Sequence, residues 1–202
     1  MPQMNMPMRR FKLTLVVFVV VACNRTSDNV AESIGTIADF KFMDQDSNWV
    51  TRESFNNDVF VVDFFFTRCK TICPVMTVNM NLLYQEFKDL ENVKFLSHTI
   101  DPDNDTPKVL NEYAGRLGIE SSKWHMVTGE KDSIYKLAHD IYKNSVLEDD
   151  ELEDGFIHSG AFILVDKNGN ILKHYDGTNN NEVRQLADHI WKLLAEYDLT
   201  EG

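Results

Sequence analysis

Strands and helices alternate along this chain and predict an α/β fold, a sheet flanked by helices with an added N-terminal β-hairpin. Three observations carry the expectation. An almost unbroken apolar run, Val59 to Phe66, leads at once into a helical pattern. Two strand–helix steps then succeed each other, and the chain ends on a hairpin signal followed by an amphipathic helix. With 202 residues, 43% of them hydrophobic and 13 of them phenylalanine, the chain can form one domain with a sizeable core plus appendages.

In order, Thr36 to Val50 reads as the small hairpin, because Ile37 to Phe42 partly alternates and Asp46-Ser47-Asn48 is turn-like. Val59 to Phe66, interrupted only by Asp63, has the composition of a central strand covered on both faces. A helix starts at Pro74, with Met76, Met80, Leu83, Phe87 and Leu90 spaced by four and three along one face. Strand Val93 to Ile100 follows. Thr106 is an N-cap with Pro107 in the first turn, and that helix runs to Leu117 with Gly118 just past its end. Trp124 to Val127 reads as a short strand and Ser133 to Tyr142 as a helix. Phe162 to Val165, the turn Asp166-Lys167-Asn168-Gly169 and Asn170 to Tyr175 form the hairpin signal, turning on Asn-Gly. Asn181 to Tyr197 closes the chain as a helix with Val183, Leu186, Ile190, Leu193 and Leu194 on its apolar face. The resulting order, βαβ then ββα, is that of a thioredoxin-like sheet.

The first residues stand outside this fold. Arg9, Arg10 and Lys12 make a basic head, and Leu13 to Ala22 is an apolar run of ten residues. As a helix such a run reaches about 15 Å, half of a bilayer's hydrocarbon core, which fits a signal peptide rather than a span. It ends in Val20-Val21-Ala22-Cys23, which resembles the bacterial lipobox, where the cysteine is acylated and becomes the mature N-terminus. The expected organisation is a lipoprotein signal peptide over 1–22, a lipidated Cys23 with a polar tether over 23–33, and the α/β domain over 34–202. The lipid would hold the domain on the extracytoplasmic side of a bacterial envelope membrane. An ordinary secretion signal or an uncleaved anchor is the alternative reading of the same residues.

Lys and Arg total 20 against 32 Asp and Glu, a formal charge of −12; cleavage ahead of Cys23 would remove three basic and no acidic residues, giving −15. A polyphosphate partner would meet repulsion over most of such a surface, which excludes nucleic-acid binding. With Cys23 lipidated, Cys69 and Cys73 remain as an isolated pair outside the cytoplasm.

That pair stands where the buried strand turns into the helix, in Asp63-Phe64-Phe65-Phe66-Thr67-Arg68-Cys69-Lys70-Thr71-Ile72-Cys73-Pro74. At positions i and i+4 the two fall on one side of a helical turn, near enough for a disulfide or for one metal ion. The helix N-terminus, Arg68 and Lys70 favour the thiolate. A structural disulfide is the plainer alternative, but so short a loop gives it the smallest entropic gain. Three intervening residues separate the pair from the Cys-x-x-Cys redox pattern, and no proline follows Pro107 to face the cysteines. Ahead of the strand Phe162 to Val165 stands His158, where a dithiol oxidoreductase would place its substrate-clamping proline. Cys69, Cys73 and His158 make an S₂N donor set suited to a soft, low-coordinate ion such as Cu(I), whereas zinc would call for a fourth ligand. The other histidines, His98, His125, His139, His174 and His189, read as core or surface residues.

In these residues the sequence resembles the SCO/SenC family of copper chaperones, which help build the copper centre of cytochrome c oxidase. The matching pieces are Phe66-Thr67-x-Cys69-x-x-x-Cys73-Pro74, Thr99-Ile100-Asp101-Pro102-Asp103-Asn104-Asp105-Thr106-Pro107, and His158-Ser159 ahead of a strand ending in Asp166-x-x-Gly169. The resemblance spans roughly Ile34 to Trp191. It implies a thioredoxin-like fold, a bound copper ion, Cu(I) or Cu(II), held by Cys69, Cys73 and His158, and a partner that is the copper-site subunit of cytochrome c oxidase or another copper acceptor. Two departures stand out. Many members carry Pro-Asp between the cysteines, where this chain has Lys70-Thr71, and often an Asp immediately before the histidine, where it has Ile157.

Two acidic features point elsewhere. Asp101, Asp103 and Asp105 with Glu112 imitate a calcium loop, but Thr106 stands where such a loop requires glycine and Pro107 begins a helix inside it. Capping and loop hydrogen bonds account for them, and Asp101 and Asp105 are placed to orient the cysteine site. Glu148 to Asp154, with six acidic residues in seven, reads as a solvated mobile loop near His158, or as a surface for a basic partner or copper. The sequence thus leads to a membrane-tethered metallochaperone that delivers copper or reduces thiols. The alternatives are a thiol–disulfide oxidoreductase, with Cys69 attacking, and a redox-sensing lipoprotein without enzymatic activity.

Overall fold

The structure is a computed structural model that describes residues 33–144, 146–148 and 156–200, with the backbone alone described at 146–148, 156–158, 199 and 200. Its strands are β1 (Gly35–Thr36), β2 (Lys41–Asp44), β3 (Trp49–Thr51), β4 (Val59–Phe65), β5 (Val93–Thr99), β6 (Trp124–Thr128), β7 (Val146–Glu148), β8 (Phe156–His158), β9 (Ala161–Val165) and β10 (Asn170–Asp176). The helices are α1 (Cys73–Phe87), α2 (Pro107–Leu117), α3 (Lys131–Lys136) and α4 (Asn180–Thr200). Among the described residues no helix is long and apolar enough to cross a membrane.

Eight strands form one sheet in the order β1-β10-β9-β4-β5-β6-β2-β3. The three middle strands β4, β5 and β6 run parallel, joined through α1 and α2, while β9, β10 and β1 on one flank and β2 and β3 on the other pair antiparallel. This is the expected α/β sheet, with the N-terminal hairpin β2–β3 extending the edge beyond β6. Every residue of β4 is buried, as its unbroken apolar run requires. Its alternating side chains sort the two layers. Phe65 meets Tyr113 of α2 at 5.7 Å between ring centroids, on the face where Tyr84 of α1 meets Phe95. On the other face Phe60 meets Phe55, and Phe64 meets Tyr142.

The local signals hold with informative shifts. The Thr106 hydroxyl accepts the Val109 N–H at 3.4 Å, and Gly118 takes the left-handed conformation that ends α2. Between β9 and β10 only Gly169 has positive φ, at 83°, so the Asn-Gly pair does not form the two-residue turn in which both residues are left-handed. The Asp166 carboxylate instead accepts the Asn168 and Asn170 N–H groups at 2.9 and 2.7 Å and shapes a longer turn. Helix α3 starts two residues earlier than Ser133, because the Glu130 carboxylate caps Asp132 and Ser133. It continues as one π-helical turn over Leu137–Ile141, which delivers Tyr142 to the core. The ribbon β7–β8, pairing Val146 with His158, is absent from the sequence expectation. The acidic run begins in β7, and its residues 149–154 lie outside the described residues, as do the expected signal peptide over 1–22, Cys23 and the expected tether up to residue 32.

Candidate metal and thiol site

Cys69 and Cys73 follow the carboxyl end of β4, the edge of the sheet at which parallel-sheet proteins place their ligands. Neither is joined in a disulfide, and both are buried, Cys73 to 2% exposure. Helix α1 starts only at Cys73, so Cys69 does not share a helical turn with it, contrary to the simple i, i+4 expectation. The irregular segment ahead of the helix folds Cys69 back over the first turn instead, where its Sγ accepts the Cys73 N–H at 3.4 Å. The sulfur thereby serves a helix N-terminus whose cap residue, Ile72, offers no side-chain acceptor. Thr71 Oγ1 lies 3.6 Å from the same sulfur. The hydrogen bond from Cys69 and then burial push the Cys73 thiol far above its ordinary range, and the charge of Asp63 acts in the same direction. Asp63 itself lies under the site, accepting a hydrogen bond from the Ser97 hydroxyl, which in turn accepts the Trp124 indole N–H at 2.8 Å.

The sequence enlists Arg68 as a charge favouring thiolate, but the structure commits its guanidinium to Asp101, at 3.0 Å from Nε and 2.6 Å from Nη2. Asp105, fully buried, accepts the Thr67 N–H at 3.0 Å and the Thr67 and Thr99 hydroxyls at 2.5 Å each. Both carboxylates are therefore occupied by protein donors, while Asp103 and Glu112 remain exposed, as the rejection of a calcium loop requires. Among the described residues no three His, Cys, Asp or Glu side chains are grouped to hold a metal ion.

The backbone of His158 is placed at the end of β8, paired with Val146, and its imidazole lies outside the described residues. What is described is its immediate continuation. Gly160 is left-handed at φ 68°, and a Cβ there would lie 3.4 Å from Ile72 and 3.9 Å from the Met76 sulfur. Its carbonyl accepts the Gly177 N–H at 2.9 Å, and the Gly177 carbonyl accepts the amide of Asn79, buried on α1, at 2.8 Å. The segment that carries His158 is thus tied to the helix that carries Cys73. Sequence reasoning missed Asn79, Gly160 and Gly177, whose roles are tertiary and leave no local signal. Of the other histidines, His174 lines a cavity with Ser159 and Ala161, next to the His158 segment. His98 is enclosed by aromatic rings, His125 lies 3.2 Å from Asp44, and His189 bonds to Tyr175.

Comparison with known proteins gives a consistent result. A family model described as SCO1/SenC matches residues 29–195. The SCO1 protein homolog of Bacillus subtilis is 37% identical over 154 residues, covering 75% of this chain and 79% of that protein. A SCO1/SenC family lipoprotein from Bacillus anthracis is 31% identical with a TM-score of 0.72, over 81% of this chain and 98% of that one. BsSco, described as having a disulfide switch and as a member of the Sco family of cytochrome c oxidase assembly proteins, is 30% identical with a TM-score of 0.71, over 81% and 96%. The copper-bound ScoI of Arabidopsis thaliana, at 23% identity over 81% of this chain and 100% of that one, has the same fold with a TM-score of 0.67.

Proposed function

The chain belongs to the SCO1/SenC family, and from that premise we propose that it is a membrane-tethered copper chaperone of cytochrome c oxidase assembly. Cys69 and Cys73 with the imidazole of His158 hold one copper ion and pass it to an acceptor bearing a copper site. The observation that carries this reading is the buried thiol pair, not joined in a disulfide, at the β4–α1 junction, with the segment following His158 beside Ile72, the residue next to Cys73. Two sulfurs and one ring nitrogen suit Cu(I), which accepts low coordination and soft donors. Uptake of Cu(I) displaces the thiol protons, so a reduced pair is the form that loads and oxidation closes the site. Acylation of Cys23 tethers the domain to the outer face of a bacterial membrane.

The experiment is an anaerobic Cu(I) titration of the wild type and of Cys69→Ser, Cys73→Ser and His158→Ala. One equivalent is bound by the wild type and each substitution weakens it strongly; unchanged binding after His158→Ala removes the histidine from the site. The buried vicinal thiols also support a second reading, a thiol–disulfide oxidoreductase that reduces the acceptor's cysteines. Reduction of a model protein disulfide that survives His158→Ala, in a wild type that takes up no copper, favours that reading.

A further inference from the structure

We propose that Asp105 and Asp101 are positioning residues for the thiol pair: two buried carboxylates at the carboxyl end of β5 clamp the two residues that precede Cys69 and so hold its sulfur over the first turn of α1. The proposal deepens the reading of Cys69 and Cys73 as a copper-binding, oxidisable pair and rests on it.

The geometry is specific. Thr67 is bound to Asp105 through both its backbone N–H and its hydroxyl, and Arg68 to Asp101 through two guanidinium nitrogens. Successive residues are therefore tied to separate carboxylates, and the next residue is Cys69. The clamp is itself fixed before the cysteine loop meets it. The Asp105 N–H donates to the Asp101 carbonyl at 2.9 Å, the Thr99 hydroxyl accepts the Asp101 N–H at 3.1 Å, and the Asn104 amide donates to Asp101 Oδ1 at 2.8 Å. Thr106 then caps α2, so the carboxylates are anchored to a strand at one end and a helix at the other.

Energetics make the clamp hold. Asp105 has no exposure, and hydrogen bonds to an ionised group shielded from water are the strong ones. If the loop moved away with Thr67, Asp105 would lose two of these three donors and remain buried, a costly state. The second tie is softer. The Arg68 side chain is 59% exposed over an Asp101 side chain exposed by 5%, so water competes for it from one side. Asp105 is accordingly the principal anchor and Asp101 the secondary one.

Both chemistries of the pair depend on this placement. Cu(I) uptake needs two sulfurs at one ion. Oxidation joins the two sulfurs, releasing two protons and passing two electrons to a disulfide in solution, which becomes two thiols. Each is favoured when the sulfurs are held close in advance, as proximity effects require.

The test measures two constants on the full-length chain in detergent: Cu(I) affinity by anaerobic competition, and the equilibrium of the pair against a dithiothreitol redox buffer. Asp105→Asn and Thr67→Val are expected to weaken Cu(I) binding about 10–100-fold, the usual effect of removing a group that orients a metal ligand. The same variants shift the disulfide equilibrium toward the dithiol. Thr67→Ser, which keeps the hydroxyl, restores both constants. Asp166→Asn, which removes a carboxylate holding the distant β9–β10 turn, lowers the melting temperature and leaves both constants unchanged. If either constant of folded Asp105→Asn equals that of the wild type, the clamp is overturned. If the wild type takes up no Cu(I), the chaperone reading fails instead, and the disulfide equilibrium alone decides the clamp.

Discussion

His98 illustrates how far a single side chain can depart from its sequence environment. It lies on β5 with no exposure, its ring stacked on Phe64 at 5.1 Å, edged by Phe40 and Phe42 and tilted against Tyr142. Neither ring nitrogen has a hydrogen-bond partner among the described residues, and burial pushes its pKa from 6.5 down to about 3. The sign follows directly. The native protein keeps this imidazole neutral, while the unfolded chain takes up a proton below pH 6.5. The contribution to stability is complete above that pH and is lost as pH falls toward 3. His98→Leu should therefore flatten the acid limb of a urea-unfolding series by about 1.4 kcal/mol per pH unit. An acid limb as steep in the variant as in the wild type contradicts this account. The other buried titrating group with functional weight, Cys73, runs the opposite way. Its raised pKa keeps the thiol protonated at neutral pH, so copper must displace that proton. Apparent Cu(I) affinity is expected to rise between pH 6 and 8, by up to about tenfold per unit for each proton released. Cys73→Ser should remove that proton's share of the dependence, read by titration in buffers of different ionisation enthalpy.

At the level of elements, two glycines in the left-handed region separate local from tertiary causes. Gly118 ends α2, and a Cβ there would meet nothing within 4 Å. Gly160, at nearly the same φ, packs against Ile72, Met76 and Thr178. Replacing either by alanine should cost about 1–2 kcal/mol for the backbone conformation alone. Only Gly160→Ala should also weaken Cu(I) binding, because it displaces the segment leading from His158 away from α1. Asn79→Ala, which cuts the tie through Gly177, should do the same with a smaller loss. Equal copper affinities for Gly118→Ala and Gly160→Ala would separate that segment from the site. The same contrast explains what could be read in advance. Gly118 follows an apolar periodicity and a proline-led first turn, so the chain announces it. Gly160 is required by side chains 84 and 88 positions away, Met76 and Ile72, and no window around it contains them. The β7–β8 ribbon escaped for a related reason. Its strands have three residues each and flank an acidic run whose composition reads as loop.

For the molecule as a whole, the sheet was legible because burial demands leave marks in composition. Val59 to Phe66 can only be a strand covered on both faces, and it is the strand around which the sheet is ordered. The two cysteines were legible as a pair, and Asp101 and Asp105 as neighbours of the site, because the loops after adjacent parallel strands emerge at one edge. Their bonds to Thr67 and Arg68 were not, since hydrogen-bond partners follow from coordinates rather than spacing. The link between site and whole fold also yields the sharpest test of His158. Cys69 and Cys73 are four positions apart and could chelate copper even in the unfolded chain. A third ligand at His158, 85 positions beyond Cys73, would be available only when the β8–β9 segment is folded onto α1. Copper held by all three therefore stabilises the native state selectively, by about 2.7 kcal/mol when free ion is a hundredfold above its Kd. In a chain of this size that corresponds to a rise in Tm of about 5–10 °C. His158→Ala should still take up some copper through its sulfurs, yet show a smaller rise, because only the pre-organised thiol pair then distinguishes the folded from the unfolded chain. Equal rises in Tm for wild type and His158→Ala at saturating Cu(I) would mean that the thiol pair alone distinguishes the folded state and that the histidine holds no copper.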